Sequence, residues 1–212
     1  MQRVKIVALI GADGAGKTTT AFRLKDYLEA KNRQCRVLYM GRGKNRALPG
    51  ARAIAKKAGL NLPRPQELHD LKGAKKTILC FLRDIAYMFD AYARYLVFIL
   101  PSLRKGEMII TDRYAYDILL NEDHHALIKF LLLRLYPKPD YLFYLYNDPD
   151  ILIARKDERT FRELTRHINV LKSLKEKFAR LNYTNVYELK TDKVDQTLEE
   201  IIRLIERNQN GL

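Results

Sequence analysis

Between Gly11 and Thr19 the chain reads GADGAGKTT, which puts three glycines, a lysine and two threonine hydroxyls within nine residues. Gly11, Gly14 and Gly16 permit left-handed backbone conformations and close approach to a polyphosphate. Successive N–H groups, those of Ala12, Asp13 and Ala15 among them, and the start of a following helix can then face anionic oxygens. Lys17 would reach the β- and γ-phosphates of ATP, and Thr18 would set its hydroxyl on Mg²⁺, with Thr19 beside it. The expected chemistry is therefore nucleotide binding.

Two other groups fit that chemistry. Asp112-Arg113-Tyr114 joins a carboxylate that can organise Mg²⁺ to a guanidinium that can grip an acceptor phosphate with two parallel hydrogen bonds. Arg155-Lys156-Asp157-Glu158-Arg159, continued by Arg162 and Arg166, reads either as an arginine-rich lid closing over ATP or as the solvated, charge-paired end of a helix. A Ser/His/Asp or Cys/His arrangement is missing, and phosphoryl transfer needs no covalent nucleophile. His124 and His125 read as first-turn surface residues of a helix.

Such groups need a frame to converge. Apolar, β-branched runs predict strands at Val4 to Ile10, Cys35 to Gly41, Glu107 to Asp112, Tyr141 to Tyr146 and Asn185 to Leu189. Helical patterns alternate with them, at Lys17 to Ala30, Asp150 to Lys156, Phe161 to Arg180 and Asp195 to Asn208. This alternation implies an α/β, three-layer fold: a five-stranded parallel sheet covered by helices on both faces. The phosphate loop follows the first strand, and Asp112 ends the third. About 65 residues separate strands two and three; they read as a loop, a short basic helix near 51–58, breaks at Pro63 and Pro65, and a long helical region from Gln66 to Arg104. An insertion of that kind at the carboxyl edge of the sheet would hold a second substrate.

Composition agrees with one domain spanning 1–212, with a helical acceptor-side insertion at about 42–106 and a short lid at about 155–166. The apolar runs are too short to span a bilayer, so a cytoplasmic protein without membrane insertion is expected. Cys35 and Cys80 lack metal-ligand or redox spacing and read as buried apolar residues. The net charge is +14, and between Glu29 and Glu67 ten lysines and arginines occur without an acidic residue. That stretch is either a surface for an anionic partner or a solvated basic face.

GADGAGKTT, DRY, LIARKDER and VYELKTDKVDQTLEEI, in this order along the whole chain, resemble the thymidylate kinase family of P-loop nucleoside-monophosphate kinases. The resemblance implies the P-loop NTPase fold and transfer of the γ-phosphoryl of ATP, with Mg²⁺, to a nucleoside monophosphate, most simply dTMP. It further implies that Asp13 faces the acceptor's sugar hydroxyl, Asp112 organises Mg²⁺, Arg113 holds the acceptor phosphate, and Thr191, Asp192 and Lys193 border the adenine. Family members carry a catalytic arginine either in the phosphate loop or in the lid. Ala15 occupies the loop position here, which leaves Arg155 or Arg159. The helical arginine expected to bind the acceptor upstream of Pro101 is nearest to Arg94, with Arg42 and Tyr114 as further acceptor contacts. A base-stacking aromatic would be Phe89, or one of Tyr87, Tyr92 and Tyr95.

The chain departs from the family where the acceptor sits. Met40-Gly41-Arg42-Gly43 stands where Arg-Glu-Pro-Gly is usual, and Asp117 and Leu119-Leu120-Asn121 replace the base-contacting segment after DRY. A related kinase acting on another anion, such as a sugar phosphate, is therefore an alternative expectation. An ATP-dependent nucleic-acid-binding protein is a remoter one, supported by charge alone. A homodimer through the long helices follows from the resemblance only.

Overall fold

Apolar residues on both faces of the three central strands dictate the architecture. In a computed structural model of the chain, which describes residues 5–41, 73–116, 126–155, 176–181, 183 and 185–210, strand β1 (Ile6–Gly11) is buried at every position. Its side chains alternate: Ile6, Ala8 and Ile10 enter one core, Val7 and Leu9 the other. Ile109 and Ile110 of β3 (Met108–Asp112), and Leu142 and Phe143 of β4 (Tyr141–Tyr146), divide in the same way. A strand buried on two sides needs no polar alternation, which is why these segments read as continuous apolar runs.

The order in the sheet is β2-β3-β1-β4-β5, every pairing parallel, with β2 at Cys35–Tyr39 and β5 at Val186–Lys190. Helix α1 (Lys17–Ala30) and the C-terminal helix α6 (Val194–Asn210) contribute Ala21, Leu24, Leu28, Ile201 and Ile205 to one face. Helix α2 (Gly73–Arg94) and α4 (Ala126–Leu135) cover the other. Three layers result. α2 runs on through a π-helical turn, Tyr95–Ile99, into α3 (Leu100–Arg104). Pro101 has no N–H to donate and its ring crowds the preceding turn; the wider π turn relieves that clash within what the sequence presents as one helix. α5 (Pro149–Arg155) follows β4.

On the α2 side the core is aromatic. Tyr114, Tyr116 and Tyr136 are each at most 1% exposed, meet edge to face at 5.3–6.1 Å, and hydrogen-bond to backbone carbonyls of Pro137, Tyr136 and Ala91 respectively. Tyr183 does the same on Pro139 O at 2.6 Å. Burial raises all four phenols above their ordinary value, so they stay neutral donors at physiological pH. Cys35 is buried and Cys80 half-buried; both are free thiols.

The expected basic helix near 51–58, the His124–His125 pair and most of the expected 161–180 helix lie outside the described residues; 176–180 are helical.

Candidate active site

β1 sits between β3 and β4; the connection leaving β1 runs toward β2 and the one leaving β4 runs toward β5. Between neighbouring strands whose connections diverge, the carboxyl edge of a parallel sheet offers a ligand crevice. Gly11 ends β1 with φ +143°, where a Cβ would fall 2.0 Å from Leu145 O of the neighbouring strand. Glycine is what the approach of these two backbones allows. The loop then packs Ala12 and Ala15 into the core and enters α1 through Gly16, φ +76°, with no side-chain cap and no acidic residue in the first turn. The first amides of α1 thus face the crevice without a competing carboxylate of their own helix, as an anion site requires. Gly14 also has positive φ.

Five predicted residues, Asp13, Lys17, Thr18, Asp112 and Arg113, come together at this loop. Lys17 is 6% exposed and donates from Nζ to Ala12 O at 2.5 Å, with Asp13 Oδ1 at 3.9 Å. Thr18 Oγ1 donates to Asp112 Oδ2 at 2.5 Å. Arg113 Nη2 pairs with Asp13 Oδ1. Asp112 itself is 2% exposed, and its second oxygen, Oδ1, is buried without a hydrogen-bond partner among the described residues. A buried carboxylate oxygen left open beside a threonine hydroxyl and a phosphate loop is a hard oxygen pair suited to Mg²⁺, which keeps waters and takes few protein ligands. The residues fit the metal. No cage of three or more His, Cys, Asp or Glu occurs among the described residues.

The loop from Thr191 to Lys193, expected beside the adenine, is tied to β4. Thr191 donates to Tyr146 O from both its amide (2.8 Å) and its hydroxyl (3.0 Å), while Asp192 and Lys193 are exposed. Asn147, which is fully buried, donates to Thr191 O at 2.8 Å and accepts from the Asp148 amide at 2.8 Å. Sequence reasoning missed Asn147; its position one residue past a strand at the carboxyl edge was the available signal.

Other expected contacts lie elsewhere. Tyr114 is a core residue whose hydroxyl is spent on Pro137 O, so it faces the aromatic layer and not an acceptor. Phe89 is 60% exposed; five residues before Arg94, it sits about 140° around α2 from it. Tyr92 and Tyr95 pack edge to face on Tyr136, and Tyr87 lies under the Arg94 guanidinium at 6.0 Å. Arg94 is buried, with Nη1 on two backbone carbonyls at the end of β2. Arg42, Arg159 and the side chain of Arg155, with the lid beyond it, lie outside the described residues.

A parallel sheet of this order, with a phosphate-binding loop after its central strand and an acid at the end of the adjacent one, defines a P-loop NTPase. Residues 71–205 match the family model described as Thymidylate kinase. A probable thymidylate kinase of Staphylothermus marinus is 32% identical over 153 residues, covering 71% of this chain and 67% of its own length. One of Archaeoglobus fulgidus is 26% identical over 95% of this chain and 94% of its own length. Probable thymidylate kinase 2 of Saccharolobus solfataricus is 26% identical, covering 78% and 71%. The chain belongs to the thymidylate kinase family, whose members are ATP-dependent nucleoside-monophosphate kinases, and it is a kinase of that kind. The match to the family model begins after the phosphate loop. No described helix is long and apolar enough to cross a membrane.

Proposed function

We propose that the protein transfers the γ-phosphoryl group of ATP to dTMP, giving dTDP and ADP, in the cytoplasm. An oxygen of the acceptor phosphate forms the new bond to the γ-phosphorus as the bond from that phosphorus to the bridging oxygen of ADP breaks. The attacking oxygen is already anionic, so no general base is needed. Catalysis is then a matter of positioning and charge. The amides from Gly11 to Thr19 and the ammonium of Lys17 hold the donor phosphates; Lys17 would leave Ala12 O for them. Thr18 and Asp112 would hold Mg²⁺, which when bound neutralises charge on the donor phosphates. Arg113 holds the acceptor phosphate, and Asp13 orients Arg113 and meets the acceptor's sugar hydroxyl. Thr191 to Lys193 border the adenine, and Arg155 or Arg159 closes over the transferring group.

The observation that carries this reading is the open Asp112 Oδ1 beside Thr18, one residue from the Arg113–Asp13 pair. On this reading Asp112 is the metal-holding acid and Arg113 the acceptor-side cation of one loop. Coupled ADP release with ATP and Mg²⁺, tested on dTMP, dUMP, other nucleoside monophosphates and sugar phosphates, is the test. Turnover concentrated on dTMP supports the reading, and turnover confined to another acceptor overturns its substrate. One observation favours a different acceptor: after β2 the chain has Met40 and Gly41, neither offering a polar side chain to a base. A homodimer through exposed apolar residues of α2 such as Ile78 and Leu82 also accords with the family.

A further inference from the structure

β2 ends at Tyr39, and the two residues after it are pinned. Arg94 Nη1 donates to Met40 O at 2.7 Å and to Gly41 O at 2.9 Å. Arg94 is 2% exposed, its Nε 3.0 Å from Asp90 Oδ2. The Met40 amide is tied on the other side, donating to Asp112 O at 2.9 Å. These peptide units cannot move without stranding buried hydrogen-bonding groups.

A backbone fixed in this way leaves a defined space where residue 41 has no side chain. A Cβ there would lie 2.4 Å from Arg113 Cδ and 2.4 Å from both Cζ and the hydroxyl oxygen of Tyr39. The stem of Arg113 and the tip of the Tyr39 ring therefore occupy volume that glycine alone leaves open. Arg113 is tied at both ends. Its backbone is left-handed, φ +69°, a region uncommon for residues other than glycine, Asn, Asp and His. Its amide donates to Leu9 O at 2.9 Å, and its guanidinium is on Asp13.

We infer that Gly41 is the seat of Arg113: the gap at residue 41, held in place by Arg94 and walled by Tyr39, sets how far the Arg113 guanidinium reaches toward the acceptor phosphate. Arg94 is then a positioning residue that acts through the Met40–Gly41 backbone. The inference rests on the proposal that Arg113 holds the acceptor. It makes residue 41 a determinant of acceptor affinity first, since the ATP phosphates are met by the loop after β1 and not by Arg113.

The test measures KM for ATP and for the best acceptor of the panel in Arg113→Ala, Gly41→Ala and the double variant, with a thermal melt of each. Gly41→Ala is expected to raise the acceptor KM about tenfold or more and leave the ATP KM within about twofold. In the Arg113→Ala background it should add little, because the displaced stem is gone. If Gly41→Ala does not fold, Arg94→Lys carries the same comparison: its effect on acceptor KM should vanish without Arg113. Gly41→Ala with unchanged acceptor KM, equal rises for both substrates, or a full additional loss on top of Arg113→Ala overturns the inference alone. An Arg113→Ala variant with unchanged acceptor KM overturns the underlying reading of the site, and the inference with it.

Discussion

The Thr18 hydroxyl donates to Asp112 Oδ2 at 2.5 Å, which joins the first turn of α1 to the end of β3 across 94 residues of sequence. The other oxygen of Asp112 is left open inside the crevice. Asp112→Asn keeps the shape and removes the charge. We expect kcat to fall about 10²-fold or more, with more Mg²⁺ needed for half-maximal rate. A Mg²⁺ titration of the initial rate checks this, and an unchanged titration would contradict the metal role.

Lys17→Ala removes the buried ammonium that now rests on the Ala12 carbonyl. Phosphoryl transfer is expected to drop by at least about 10²-fold while the far-UV spectrum and the melt stay close to those of the parent. Retained turnover would remove Lys17 from the donor site.

Asn147→Ala leaves the Asp148 amide and the Thr191 carbonyl without the partner they now share. A loss of about 1–3 kcal/mol in urea unfolding is expected, together with a raised KM for ATP and an unchanged one for the acceptor. An effect on stability alone would assign Asn147 to the fold and not to ATP binding.

Gly11→Ala would drive a methyl group to 2.0 Å from the Leu145 carbonyl oxygen at a backbone φ of +143°. The strain and the displaced strand should cost about 3 kcal/mol or more, read as a lower urea midpoint. A midpoint like the parent's would mean that β1 and β4 can separate there without penalty.

Tyr114, Tyr116, Tyr136 and Tyr183 have phenols raised by burial. In the unfolded chain they release protons near pH 10, and in the folded chain they keep them. The unfolded state therefore holds fewer protons above that pH, and stability falls as pH rises through and beyond it. Below it their contribution is fully present. Phenolate absorbance from these four should appear together with loss of the fold; a smooth titration in the native protein would show that water reaches them.

The three central strands were legible because burial on two faces leaves an unmistakable apolar run, and α1 was legible from Lys17 to Ala30 because glycine before it and the turn after Ala30 mark its limits. Lys17, Thr18, Asp112 and Arg113 could be grouped from sequence because parallel strands bring their carboxyl ends to one edge. The partners of Arg94 could not. They lie 53 and 54 residues away and are backbone carbonyls, which no residue type announces. Tyr114 was misplaced for a related reason: the left-handed turn at Arg113 breaks strand alternation, so the side-chain direction of its neighbour follows from the backbone and not from the pattern.

The order of the strands also governs how the chain is born. β1 pairs only with β3 and β4, and Ile6 meets Ile109, so about 100 residues must leave the ribosome before its first partner exists. At a synthesis rate of about 5–20 residues per second that is an interval of roughly 5–20 s. Throughout it Ile6-Val7-Ala8-Leu9-Ile10 is an apolar, charge-free segment with open edges, the kind that nascent chains must shield from one another. The strand from which the phosphate loop hangs is thus among the first made and waits longest for its neighbours.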